Sequence, residues 1–218
     1  MARSQESRDR REPTLTEQAR RAQLIEVTID RIAEHGYGGT SLSRIAEGAG
    51  ITKAAVLYHF PTKAAVVRAA HEHVLAALTE HVGTAVSAVG PQQAPAAYIR
   101  AMIGHLRERP RHTRVIIEAM THEEGDHEPH ERWGPLADLL AAAREDPSPA
   151  PEQELRTTAI IIGGAIDAIV AEQLSDPDYD TAAAADQLVA MVRTDPVLTH
   201  HGKNPPLPDT ATDKGRAP

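Results

Sequence analysis

From Leu15 the apolar positions recur every three or four residues, so that Leu24, Ile25, Thr28, Ile29, Ile32 and Ala33 share one stripe. Thr14-Leu15-Thr16-Glu17 opens this helix as a capping box: Thr14 accepts the Glu17 amide and Glu17 reaches back. His35-Gly36 closes it, with glycine supplying the left-handed C-terminal position. After the turn Gly38-Gly39-Thr40-Ser41 come two short helices, Leu42 to Gly48 and Lys53 to Phe60, joined through Gly48-Ala49-Gly50 and capped by Thr52. Pro61 pre-sets a long helix from Thr62 to about Val86, with Val67, Ala70, Val74, Leu78 and Val82 on one face.

The later pattern is again helical. Gly90 to Pro95 reads as a linker, and helices follow at Ala96 to Glu108 (ended by Pro110) and Thr113 to Thr121. His122 to Pro129 is a polar loop; further helices run over Trp133–Arg144, Pro151–Leu174 and from the Thr181 cap to Val192 or Arg193. This predicts an all-α chain of about nine helices, with no strand pattern and no internal repeat. Residues 1–13 read as a disordered basic arm and 195–218 as a disordered, Pro-rich tail.

Composition sharpens the picture at three points. Aromatics are only 3% of 218 residues, so Ala, Val, Leu and Ile must fill the core. The absence of cysteine excludes a disulfide scaffold, thiolate metal sites and cysteine nucleophiles, and suits the cytoplasm. The opening stretch lacks the apolar core of a signal peptide, and the longest apolar run, Ala159 to Val170, is too short to span a bilayer, so no membrane association is expected.

The net charge of −8 looks unfavourable for nucleic-acid binding until it is divided. Residues 1–70 carry 11 Lys or Arg and 8 Asp or Glu, a net +3; residues 71–218 carry 12 and 23, a net −11. A slightly basic front on a strongly acidic remainder suggests two tasks.

The stretch 41–60, SLSRIAEGAGITKAAVLYHF, places two seven-residue helices around a Gly-containing turn, a helix-turn-helix pattern. Ala46 is small where the helices cross, Gly50 permits the turn, and Ile45, Ile51 and Val56 can share a small core. In such a unit the second helix enters the major groove, its first turns facing base edges.

The wider context carries more. Ala33-Glu34-His35-Gly36-Tyr37, Thr40-Ser41 before Ile45-Ala46, Gly50-Ile51-Thr52-Lys53 and Leu57-Tyr58-His59-Phe60-Pro61-Thr62-Lys63 follow in order. On these residues, 20–67 resembles the DNA-binding domain of the tetracycline-repressor (TetR) family of transcriptional regulators. The resemblance implies a homodimer: residues 14–61 form a head on palindromic double-stranded operator DNA, and residues 62–194 an effector-binding and dimerisation body. It further implies a repressor released when a small-molecule effector binds. Thr40, Ser41, Thr52, Lys53, Tyr58, His59 and Lys63 are then the candidate DNA contacts, mostly to phosphate.

Base reading is sparser. Ser43 and Leu57 stand where relatives often carry a basic side chain and a tyrosine, and Ala54 and Ala55 offer only methyls. Discrimination would rest on Lys53, on methyl contacts to thymine and on DNA shape. The arm arginines Arg8, Arg10 and Arg11 are candidates for a minor groove. His59 reads equally as a packing residue, Phe60 and Tyr37 as core, and Arg44 as part of a solvated face.

For the body the sequence offers candidates only. Leu78, Met102, His105, Leu106, Ile116, Met120, Trp133, Leu136, Ile162 and Ile166 could line an effector pocket, although most would serve equally as core. Ile160, Gly163, Gly164, Asp167, Ala184, Leu188 and Met191 are candidates for a dimer interface, since small residues let helices approach closely. The His- and acid-rich segment 122–130 raises the alternatives of a metal-ion-responsive regulator or a helical metal-dependent enzyme, but its spacing matches no familiar metal motif and it reads more simply as a solvated loop. No catalytic triad, phosphate loop or dinucleotide fingerprint is present, so neither catalysis nor a cofactor is expected.

Overall fold

The structure is a computed structural model and describes residues 14–122, 129–144 and 152–193. Among these residues there are nine α-helices and no strand: α1 (Leu15–Gly39), α2 (Leu42–Gly48), α3 (Lys53–His59), α4 (Lys63–Ser87), α5 (Ala94–Glu108), α6 (Pro110–His122), α7 (Pro129–Ala143), α8 (Glu152–Ser175) and α9 (Thr181–Arg193). One 3-10 turn, Pro91–Gln93, precedes α5. The arm, most of the His-rich loop and the tail lie outside the described residues.

Local chemistry starts the first four helices. Thr14, Ser41, Thr52 and Thr62 each accept an amide hydrogen from three residues ahead, on Glu17, Arg44, Ala55 and Ala65. The Thr14–Glu17 capping box is complete in both directions. Gly36 has φ 68° and ψ 175°, which kinks α1 without ending it, so three further residues continue past the expected stop.

Prolines depart most from the sequence reading. Pro110 does not hold α6 back to residue 113; it occupies the first helical position, where its missing N–H costs nothing. Helix α7 starts at residue 129, ahead of the expected Trp133, and runs through Pro135. Helix α8 also qualifies the length argument: the unbroken apolar run is short, but the 24-residue helix containing it is long and apolar enough, by length and composition, to cross a membrane. Here Leu155, Ala159, Ile162, Ile166 and Val170 pack one side of that helix into the interior.

Three apolar clusters organise the packing. Leu24, Ile45, Ala46, Ala49, Val56 and Phe60 form the core of the N-terminal head, joined by Val66 from α4. The adjacent Val67 belongs to a second cluster with Ile29, Ile32, Ala70, Val74 and Val115, which ties α1, α4 and α6 together. The third and largest is the body core of α4, α5 and α7–α9, including Leu78, Ile99, Leu106, Leu140, Ile162 and Leu188. The head's packing therefore extends past residue 61, where the motif pattern ends.

Candidate nucleic-acid interface

Helix α3 is fixed from behind and open in front. Val56 is fully buried and Phe60, its C-cap, nearly so. Lys53, Ala54, Leu57 and Tyr58 are exposed, Leu57 at 40% and Tyr58 at 73%, whereas Ala55 and His59 are half-buried. The outward strip thus carries one ammonium, one phenol and two aliphatic groups. Gly50 sets its angle to α2 through φ +65°, a conformation that costs most residues about 1–2 kcal/mol.

Around this strip the other candidates divide. Ser41 and Thr52 are exposed N-caps, and Ser43 is exposed on α2. Thr40 does not fit the phosphate role: it is buried, and its hydroxyl donates to the Gly36 carbonyl at 2.9 Å. Lys63 is likewise engaged internally. Its Nζ donates to the Tyr37 carbonyl at 2.5 Å and stands 3.7 Å from the centre of the Tyr37 ring, and burial lowers its pKa from the ordinary lysine value. It fastens the start of α4 to the end of α1.

Three polar residues brace the head through contacts that the sequence pattern does not mark. Arg21 donates to the His59 carbonyl at 2.5 Å and lies 4.1 Å above the Phe60 ring, pinning the end of α3 to α1. Its sequence signal is slight: it sits three residues before Leu24 and extends the inward stripe. Glu17 accepts a 3.0 Å hydrogen bond from the Tyr58 hydroxyl, so the first turn of α1 reaches the recognition surface. Arg44 is exposed as expected, yet its guanidinium donates to the Gly39 carbonyl at 2.7 Å and braces the corner before α2.

The head is also gripped from the body by α6. Arg111 pairs with Asp30 at 2.5 Å, Arg114 donates to the Ala33 carbonyl, and Glu118 accepts the Tyr37 amide hydrogen at 2.8 Å. These polar ties flank the buried contact of Val115.

In the body, Leu78, His105, Leu106, Leu136, Ile162 and Ile166 are buried, and Met102, Ile116 and Trp133 are half-buried against the same core. The side chain of Met120 lies outside the described residues. Of the dimer candidates, Ile160, Gly164, Asp167 and Met191 are exposed, and Gly163 and Ala184 half-buried. Leu188 is corrected: it packs into the body core, and the exposed apolar residue overlooked on this side is Ile161. Asp167 pairs with Arg132 of α7. Among the described residues no group of three His, Cys, Asp or Glu side chains is placed to hold a metal ion.

Residues 24–70 match the family model for bacterial regulatory proteins of the tetR family. The HTH-type transcriptional regulator BetI of Burkholderia thailandensis is 37% identical over 84 residues, 38% of this chain and 42% of that protein. The chain thus spans less than half the length of the curated relatives it matches. Over the whole fold, a TetR-like transcriptional regulator from Rhodococcus sp. RHA1 superposes with a TM-score of 0.64 at 18% identity, covering 84% of this chain and 97% of the other. The regulator FadR of Bacillus subtilis, solved with stearoyl-CoA, gives 0.61 at 16% identity, with 79% and 97% covered.

Proposed function

Since the chain belongs to the tetR family of bacterial regulatory proteins, we propose that it is a cytoplasmic, homodimeric DNA-binding transcriptional regulator, a repressor released from a palindromic operator when a small molecule binds its helical body. The outward strip of α3, held by Val56, Phe60 and Arg21, is the observation that carries this reading. A short helix fixed on its inner side and bare on its outer side suits insertion into a major groove. Ser41, Ser43, Thr52, Lys53 and Tyr58 then supply phosphate and base-edge contacts around it, with Ala54, Ala55 and Leu57 against bases and His59 at the rim.

The dimer draws support from the exposed apolar side of α8 and α9, where Ile160, Ile161, Gly164 and Met191 lie. A two-fold pair would cover that surface and present the two α3 helices together. The effector role of the body draws on its size as a separate helical core and on the FadR neighbour solved with stearoyl-CoA.

Selection of bound duplexes from a random DNA pool tests the reading. A palindrome is expected, with half-sites about 34–36 Å apart or a multiple of that spacing. Ile161→Glu should yield a monomer by light scattering and lose operator affinity. Failure to enrich any palindrome at moderate salt would overturn the proposal.

A further inference from the structure

His105, on the inward side of α5, is only 1% exposed, and its Nε2 has no hydrogen-bond partner. His112, near the start of α6, is half-buried, and its Nδ1 is buried and likewise unpartnered. The two ring centres are 6.3 Å apart. The ring of His81, exposed on α4, lies 5.1 Å from that of His105. A buried polar atom left unsatisfied is destabilising, a penalty that an apolar side chain would avoid. Two neighbouring rings that each carry such a nitrogen form a polar spot within the junction of α4, α5 and α6.

The surroundings specify what would complete it. The charged and titratable groups facing His105 are Arg109, His81, His112 and Glu108; those facing His112 are Arg109, Glu26, His73 and Arg111. Arg109 is the cation that faces both rings, so an anionic head set between them would lie in its field. Apolar residues of the same helices, Leu78, Val82, Met102, Leu106 and Ile116, adjoin in the body core.

We propose that this junction binds an organic monocarboxylic acid, its head between His105 and His112 and its apolar portion along α4 and α5. This rests on reading the body as the effector domain and specifies the effector's chemistry. Desolvation, then the neighbouring Arg109, lowers the His105 pKa to about 4, so the free protein holds a neutral imidazole there at pH 7. The bound carboxylate favours imidazolium, and each ligand brings one proton from solvent onto His105. No covalent bond forms or breaks.

Calorimetry with octanoate and 4-phenylbutyrate, each against its parent alcohol, tests this. The acids should gain roughly tenfold in affinity per pH unit between about pH 7.5 and about pH 6. Heats measured in buffers of differing ionisation enthalpy should report one proton taken up per ligand. The alcohols should bind at least about tenfold more weakly, with no uptake. His105→Gln should abolish both the uptake and the pH dependence, and His105→Leu provides the same test should the first variant fail to fold. Equal binding of acids and alcohols, uptake persisting in the variants, or neither acid binding at about 1 mM, weaker than about −4 kcal/mol, would overturn the proposal. Operator selection is the separate arm: a palindrome without acid binding removes this site and leaves the regulator, whereas acid binding without an operator does the reverse.

Discussion

The carboxylate of Glu118 on α6 accepts the backbone amide hydrogen of Tyr37 at 2.8 Å, immediately past the kink in α1. It stands beside the ties of Arg111 to Asp30 and Arg114 to the Ala33 carbonyl, through which α6 holds the head. Glu118→Ala leaves that amide without this acceptor and should cost about 1–3 kcal/mol in urea unfolding, whereas Glu118→Gln should cost less because it keeps an acceptor oxygen. Equal losses in the two variants would show that the negative charge of the carboxylate, rather than an acceptor oxygen as such, is what the tie requires.

Gly50 separates backbone strain from packing. A Cβ placed there meets no atom within 4 Å, while φ stands at +65°. Gly50→Ala should therefore lose about 1–2 kcal/mol through conformation alone, and Gly50→Asn less, because asparagine tolerates the left-handed region. Thermal melts of the two variants give the comparison.

Lys53 and Lys63 bear the same charge and should behave differently on DNA. Lys53→Ala is expected to weaken binding and to reduce the slope of log affinity against log salt by about 1. Lys63→Met should lower the melting temperature through loss of its bond to Tyr37 and leave the slope unchanged. Gel-shift titrations at four salt concentrations suffice.

Acid should unfold the protein partly through His105. Its pKa falls from 6.5 to about 4 in the folded chain, so the unfolded chain takes the proton first. The resulting stability is complete above pH 6.5 and is lost as pH falls towards 4. His105→Leu should flatten that acid limb and hold or raise stability at neutral pH, because it removes an unpaired buried nitrogen. Urea midpoints at neutral and mildly acidic pH measure both effects.

What was legible in the sequence was local. The caps at Thr14 and Thr52 depend on groups three residues away, and the stripe from Val67 to Val82 on helical spacing alone. What was not legible depended on distant partners. Thr40 and Lys63 have the chemistry of phosphate ligands, but the fold turns them onto the carbonyls of Gly36 and Tyr37. Arg21 has no marker of its task, because its acceptor lies 38 residues away. Leu188 and Met191 occupy the same helix, and only the packing of α9 against α5 and α8 determines which of them faces inward.

The split allegiance of Val66 and Val67 has a practical consequence. Adjacent on α4, one completes the core around α3 and the other the core around α6. A fragment severed after Pro61 would keep every residue of the motif and yet leave an empty socket beside Phe60. Anyone transplanting this reading unit onto another protein must carry the opening turn of α4 along with it.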